Sequence, residues 1–224
     1  MRAMILAAGR GERMRPLTDH TPKPLLCVAG KPLIVWHLER LARAGFRDVV
    51  INHAWLGEQI EARLGDGSAF GLTLHYSPEA PALETAGGIA RALPLLGDQP
   101  FLVINGDIWC DWNPALAAER RPAPGGAWLL LVNNPPQHPA GDFLLGADGQ
   151  VHSGDGPRLT FSGIGIYDGS LFAGLPPDTP APLAPLLRAA MAQGRVRGQR
   201  HEGRWTDVGT PERLAALDHA LTGA

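Results

Sequence analysis

The chain has 224 residues, 45% of them apolar, with 22 acidic and 20 basic side chains and a formal net charge of −2. That length and apolar content suit one sizeable folded domain and exclude a disordered chain. A charge balance so near neutrality excludes a general attraction to nucleic acid or to an anionic membrane surface, so neither is expected as a partner.

Ala3-Met4-Ile5-Leu6-Ala7 is a short apolar run followed by Gly9 and Gly11, the pattern of a strand buried on both faces of a parallel sheet. It is too short to span a membrane and lacks the basic leader and cleavage pattern of a signal peptide. Pro32 and Gly45 bracket a helix over residues 32–44, with Leu33, Trp36, Leu41 and Ala44 on its apolar face. A strand at 48–52, a helix at 56–64, a strand at 72–76, a helix at 85–93 and a strand at 101–105 follow. This alternation predicts a right-handed, Rossmann-like doubly wound α/β sheet. The second half reads as strands at 128–132, 142–145 and 159–167 without long helices between them, a mixed or antiparallel region packed against the first sheet. Helices at 182–192 and 211–221 complete a single domain. Trp36, Trp55 and Trp128 are expected in the core. Cys27 and Cys110 form neither a disulfide framework nor a metal-type pair, which suits a reduced, cytoplasmic setting. A monomer is expected.

The loop after the first strand, Gly9-Arg10-Gly11-Glu12-Arg13, suits a small anion. Ligands of open α/β sheets gather beyond the carboxyl ends of the strands. Glycines let backbone N–H groups approach phosphate oxygens, and Arg13 adds a charge-assisted donor. The spacing is neither a Walker A loop nor a dinucleotide fingerprint. In Thr21-Pro22-Lys23-Pro24, two prolines hold the backbone on either side of one lysine, so its ammonium is presented with little mobility. A dinucleotide-dependent oxidoreductase would need a third glycine in the loop and an acidic end to the second strand, which here reads Ile51-Asn52-His53.

Together, Leu6-Ala7-Ala8-Gly9-Arg10-Gly11-Glu12-Arg13-Met14-Arg15-Pro16-Leu17-Thr18 and Pro22-Lys23-Pro24 resemble the signature of the sugar-1-phosphate nucleotidyltransferase family. The resemblance continues through Glu84-Thr85-Ala86-Gly87-Gly88, Asn105-Gly106-Asp107, Ser162-Gly163-Ile164 and Trp205-Thr206-Asp207-Val208-Gly209-Thr210. It implies a nucleotide-binding half over residues 1–110 and a sugar-binding half over 111–224. Ala8, Gly9, Gly11, Glu12, Arg13, Lys23, Glu79 and Gly87 are implied to bind the nucleotide, Glu79 and the backbone near Ala8 and Gly87 facing base and ribose. Asp107 and Asp207 are implied to hold Mg²⁺. Asn105, Gly141, Asp155 and Trp205 are implied to face the sugar phosphate. Arg13, Lys23 and Asp107 are the implied catalytic set.

Within the family, the compact chain and Asn52-His53-Ala54-Trp55-Leu56-Gly57 are most similar to members that act in bacterial cell-wall recycling. That likeness implies UTP and N-acetylmuramate 1-phosphate as substrates. A short mannose-1-phosphate guanylyltransferase and a non-catalytic regulatory protein of the same fold are the alternatives. One departure stands out. Many relatives carry Glu-Lys-Pro where this chain reads Ser153-Gly154-Asp155-Gly156-Pro157-Arg158. Arg158 or Arg204 is therefore expected to supply the missing cation and to meet a lactyl carboxylate.

Overall fold

The computed structural model describes residues 1–223. Its strands are β1 (Ala3–Leu6), β2 (Cys27–Val28), β3 (Lys31–Pro32), β4 (Asp48–His53), β5 (Thr73–Pro78), β6 (Phe101–Asn105), β7 (Ile108–Cys110), β8 (Ala127–Val132), β9 (Leu144–Leu145), β10 (Val151–His152), β11 (Thr160–Tyr167), β12 (Val196–Arg200) and β13 (Trp205–Asp207). The α-helices are α1 (Leu33–Arg43), α2 (Gly57–Leu64), α3 (Glu84–Leu96), α4 (Leu183–Ala192) and α5 (Pro211–Thr222).

A seven-stranded sheet in the order β12-β8-β11-β6-β1-β4-β5 forms the spine. β5, β4, β1 and β6 run parallel, and β11 lies antiparallel to both β6 and β8. The expected doubly wound first half is present. The expected separate second region is not, because β11, β8 and β12 extend the same sheet across the β6 edge.

Adjacent strand residues point to opposite faces, and helices cover both. Ile5 and Ile51 pack with Ile34 and Leu38 of α1 and Ile60 of α2. Met4 and Val50 pack with Ile89 of α3 and, farther along the sheet, Met191 of α4. A third cluster joins Met14, Leu33, Trp109, Val208 and Leu217. It seats the glycine loop, the β7–β13 ribbon and α5 against one another.

Several expectations shift. α3 runs past Pro94 to Leu96 because the proline sits in the last turn, which Gly97 closes by donating to the Leu93 carbonyl. Of residues 142–145, only Leu144–Leu145 is strand, paired with β10 outside the main sheet. Trp55 is 38% exposed rather than core. Its indole donates to the Thr18 carbonyl at 3.0 Å, and the Arg10 guanidinium lies 4.0 Å above the ring.

His37 of α1 is buried beneath β7. One ring nitrogen bonds the Ile108 backbone, and Nε2 has no partner among the described residues. Burial, with the Arg40 charge beside it, pushes the imidazole from 6.5 down to about 4. The unfolded chain therefore takes up this proton first as pH falls. The contribution of His37 to stability is complete above pH 6.5 and is lost as pH drops toward 4, by on the order of 3 kcal/mol. Urea unfolding at pH 7 and pH 4.5 should show a smaller acid loss for His37→Gln than for the parent. Equal losses would contradict this assignment.

Candidate active site

The strand order reverses between β1 and β6, since β4 and β5 lie on one side of β1 and β6 on the other. At such a switch point the loops leaving neighbouring strands diverge and open a crevice. Here those loops are residues 7–13 and 106–107. Their roots are tied by Gly106 N donating to the Leu6 carbonyl at 2.8 Å. A Cβ on Gly106 would lie 2.6 Å from that oxygen, so only glycine allows this approach.

A cavity of about 280 Å³ fills the crevice, lined by Gly9, Gly11, Arg13, Lys23, Asp107 and Gly209 among others. Gly11 has φ +70° and packs on Thr18 and the Lys23 stem, and Thr18 donates to its carbonyl at 2.9 Å. Lys23 is 8% exposed. Its ammonium reaches Asp107 Oδ2 at 2.6 Å. The glycine loop and the Pro-Lys-Pro segment thus converge on the β6 end, as their sequences imply.

Asp207 arrives from a hundred residues away on the β7–β13 ribbon, opposite Ile108. Val208 N donates to the Asp107 carbonyl at 2.7 Å. Asp207 Oδ1 accepts from Gln137 at 2.6 Å, and its Oδ2 lies 3.0 Å from Arg213 Nη2 in an ion pair. A second cavity, of about 320 Å³, meets the first at Asp107 and is lined by Asn105, His138, Asp142, Gly163, Trp205 and Asp207 among others. β11 carries a register shift between Phe161 and Gly165. Gly163, with φ +82°, leaves room for the Asn105 amide, which a Cβ would meet at 2.7 Å. Bulges of this kind recur beside functional sites because they re-aim the flanking side chains. The Trp205 indole donates to the Ser162 carbonyl at 2.8 Å.

Other expected residues lie differently. Glu79 is 5% exposed, and both its oxygens are engaged: Oε1 accepts from Asn52 at 2.7 Å and Oε2 from Leu83 N at 2.7 Å. Asn52 Oδ1 in turn accepts from Ala7 N at 3.0 Å. Glu79 therefore braces the loop at Ala7 and Ala8 through a buried network. Gly87 is buried under the 179–181 segment, its N–H donating to the Ala181 carbonyl, and it does not line the crevice. Glu12 lines the cavity mouth, with Arg15 3.6 Å from its carboxylate. Gly141 is buried against Asn134 and Arg158. Asp155 is fully exposed and pairs with Arg158 at 3.3 Å. Arg158 also donates to the Gly154 carbonyl at 2.8 Å. Arg204 donates to the Ala220 carbonyl at 3.3 Å and lies 5.1 Å over Trp109. Neither arginine lines the cleft, so the expected replacement for the missing lysine is not found at either position. Gln137, Asp142 and Arg213 were not legible, because each belongs to a loop or helix start without a distinguishing pattern.

A crevice at a sheet switch point lined by a pinned lysine, an arginine and an aspartate, with a second aspartate on the adjoining cavity, has the chemistry of a site for a phosphate-bearing ligand. Residues 2–143 match the family model described as Nucleotidyl transferase, and the chain belongs to the nucleotidyltransferase family. It is 60% identical to the N-acetylmuramate alpha-1-phosphate uridylyltransferase of Neisseria meningitidis serogroup B, an alignment that covers 100% of this chain and 99% of the relative. It is 39% identical to the enzyme of the same name from Caulobacter vibrioides, over 99% of this chain and 97% of the relative. A Bacillus anthracis crystal structure solved with sucrose superposes at TM-score 0.85, covering 98% of this chain and 94% of that one at 23% identity. That likeness speaks for the fold alone.

Lys23→Ala should leave the fold intact. Asp107 keeps 40% of its side-chain surface in water, so loss of its partner costs little. Steady-state turnover should fall on the order of a hundredfold or more, the scale of removing one preorganised charge. Near-normal turnover would show that the lysine has no part in the reaction.

Proposed function

We propose that this protein transfers the uridylyl group of UTP to N-acetylmuramate 1-phosphate, releasing pyrophosphate and forming UDP-N-acetylmuramate in the cytoplasm. The observation that carries this reading is the convergence of Lys23, Arg13, Asp107 and Asp207 on two adjoining cavities. One is lined by the glycine loop and fits a triphosphate. The other is lined by Asn105 and Trp205 and fits a sugar phosphate. The full-length likeness to uridylyltransferases of that sugar supports this choice of substrates. Residues 1–110 supply most of the nucleotide side and residues 111–223 most of the sugar side.

A phosphate oxygen of the sugar phosphate attacks the α-phosphorus of UTP. The new P–O bond forms as the bond between the α-phosphorus and its bridging oxygen breaks, and pyrophosphate carries off the electron pair. The nucleophile is already ionised, so no protein base or covalent intermediate is required. The work left to the protein is positioning and charge neutralisation. Arg13 and Lys23 lie where they offset repulsion between the two anionic reactants. Asp107 lines both cavities and Asp207 lines the second, and 40% and 26% of their side-chain surfaces are exposed. That donor set fits Mg²⁺, which favours one or two carboxylates plus phosphate oxygens and water. Bound there, the ion would neutralise phosphate charge. The Lys23 ammonium, 2.6 Å from Asp107 at the cleft, would donate to a phosphate oxygen of the bound nucleotide.

Pyrophosphate release across a matrix of nucleoside triphosphates and sugar 1-phosphates tests the reading. UTP with N-acetylmuramate 1-phosphate should be the fastest pair, and excess EDTA should abolish the signal until Mg²⁺ is restored. A preference for GTP with mannose 1-phosphate would overturn the substrate assignment. Full activity in EDTA would overturn the role of the two aspartates.

A further inference from the structure

Asp207 is held from two sides. Gln137, on the 133–143 loop, donates to Oδ1 at 2.6 Å. Arg213, in the first turn of α5, brings Nη2 to 3.0 Å from Oδ2. The base of Arg213 is fixed, because Thr210 caps α5 by accepting from Arg213 N. Its head is confined as well. Nε and Nη2 are buried and make no hydrogen bond among the described residues. A methyl group on Gly209 would come within 2.0 Å of Arg213 Nη2, 3.0 Å of Asp207 Oδ2 and 3.2 Å of Arg13 Nη2. Gly209 does not have the positive φ that favours glycine. The space that a side chain would take there is filled by two guanidinium groups and the carboxylate.

The geometry points to Arg213, together with Gln137, as the positioning residues that aim the Asp207 carboxylate at the cleft it shares with Asp107. This rests on the metal-holding reading of Asp207 given above. A carboxylate has about four lone-pair directions. The Gln137 hydrogen bond on Oδ1 and the Arg213 ion pair on Oδ2 set the plane of the group and leave further lone-pair directions free. Outer partners of this kind typically contribute tenfold to a hundredfold to metal affinity by fixing ligand orientation. Arg213 carries a positive charge, so a simple counter-ion in its place would oppose a cation, and the two roles predict opposite signs.

The test is calorimetric binding of UTP to the full chain without sugar phosphate, at zero and at saturating Mg²⁺. The ratio of the two dissociation constants gives the Mg²⁺-linked gain in affinity. Arg213→Met and Gln137→Ala should each lose about tenfold of that gain, and Arg213→Lys should recover part of it. UTP affinity without Mg²⁺ should stay within about twofold of the parent. Gln137 is exposed, so its variant reads the same effect even if Arg213→Met fails to fold. An unchanged or enlarged Mg²⁺-linked gain in the variants would overturn the proposal. So would an equal weakening with and without Mg²⁺, which would make Arg213 a phosphate contact. Asp207→Asn serves as the reference. If it keeps the full gain, the metal-holding reading fails. If it loses the gain while Arg213→Met and Gln137→Ala do not, only the positioning role fails.

Discussion

The hydrogen bond from Val208 N to the Asp107 carbonyl is 2.7 Å long and spans a hundred residues of sequence. It extends by one residue the antiparallel pairing of β7 with β13, a ribbon that lies outside the seven-stranded sheet. Without it, Asp207 would have no reason to sit beside the end of β6, and the second cavity would lose that carboxylate from its wall. The ribbon is held by apolar packing, since Trp109 and Val208 share a cluster with Met14 of the glycine loop and Leu217 of α5. Burial of those side chains is what keeps the polar wall in register. The chemistry of the site therefore depends on a small core at its back.

The charge arrangement follows from the same constraint. Two carboxylates facing one cleft repel each other unless cations stand between them. Lys23 lies on Asp107 and Arg213 on Asp207, each within ion-pair distance. Arg13 approaches the same point at Gly209. These cations offset the repulsion between the two carboxylates and leave the cleft wall close to balanced in charge.

Much of this was legible in the sequence. The apolar runs that became β1, β4 and β6 are buried on both faces, as continuous runs require. The glycine loop, Pro22-Lys23-Pro24 and Asp107 meet where their strand ends predict. What stayed hidden has physical reasons. β12 reads Val-Arg-Gly-Gln-Arg, an edge strand with a single buried apolar residue, Val196. Charged edges discourage strand pairing between molecules, and they also erase the alternation that reveals a strand. The placement of β11 between β6 and β8 is a long-range pairing that no local pattern specifies. Glu79 and Gly87 have the residue types of ligand contacts, yet each is consumed by internal bonds. Only the tertiary structure distinguishes a polar group that meets a ligand from one that braces the wall behind it.

The proposed chemistry depends on where the nucleotide and its cation settle. A crystal structure of the protein with UTP and Mg²⁺ measures that directly. It should place the triphosphate along Gly11 and Arg13, Lys23 Nζ on a phosphate oxygen, and the ion between the carboxylates of Asp107 and Asp207. A triphosphate bound away from this crevice, or an ion that touches neither aspartate, would contradict it.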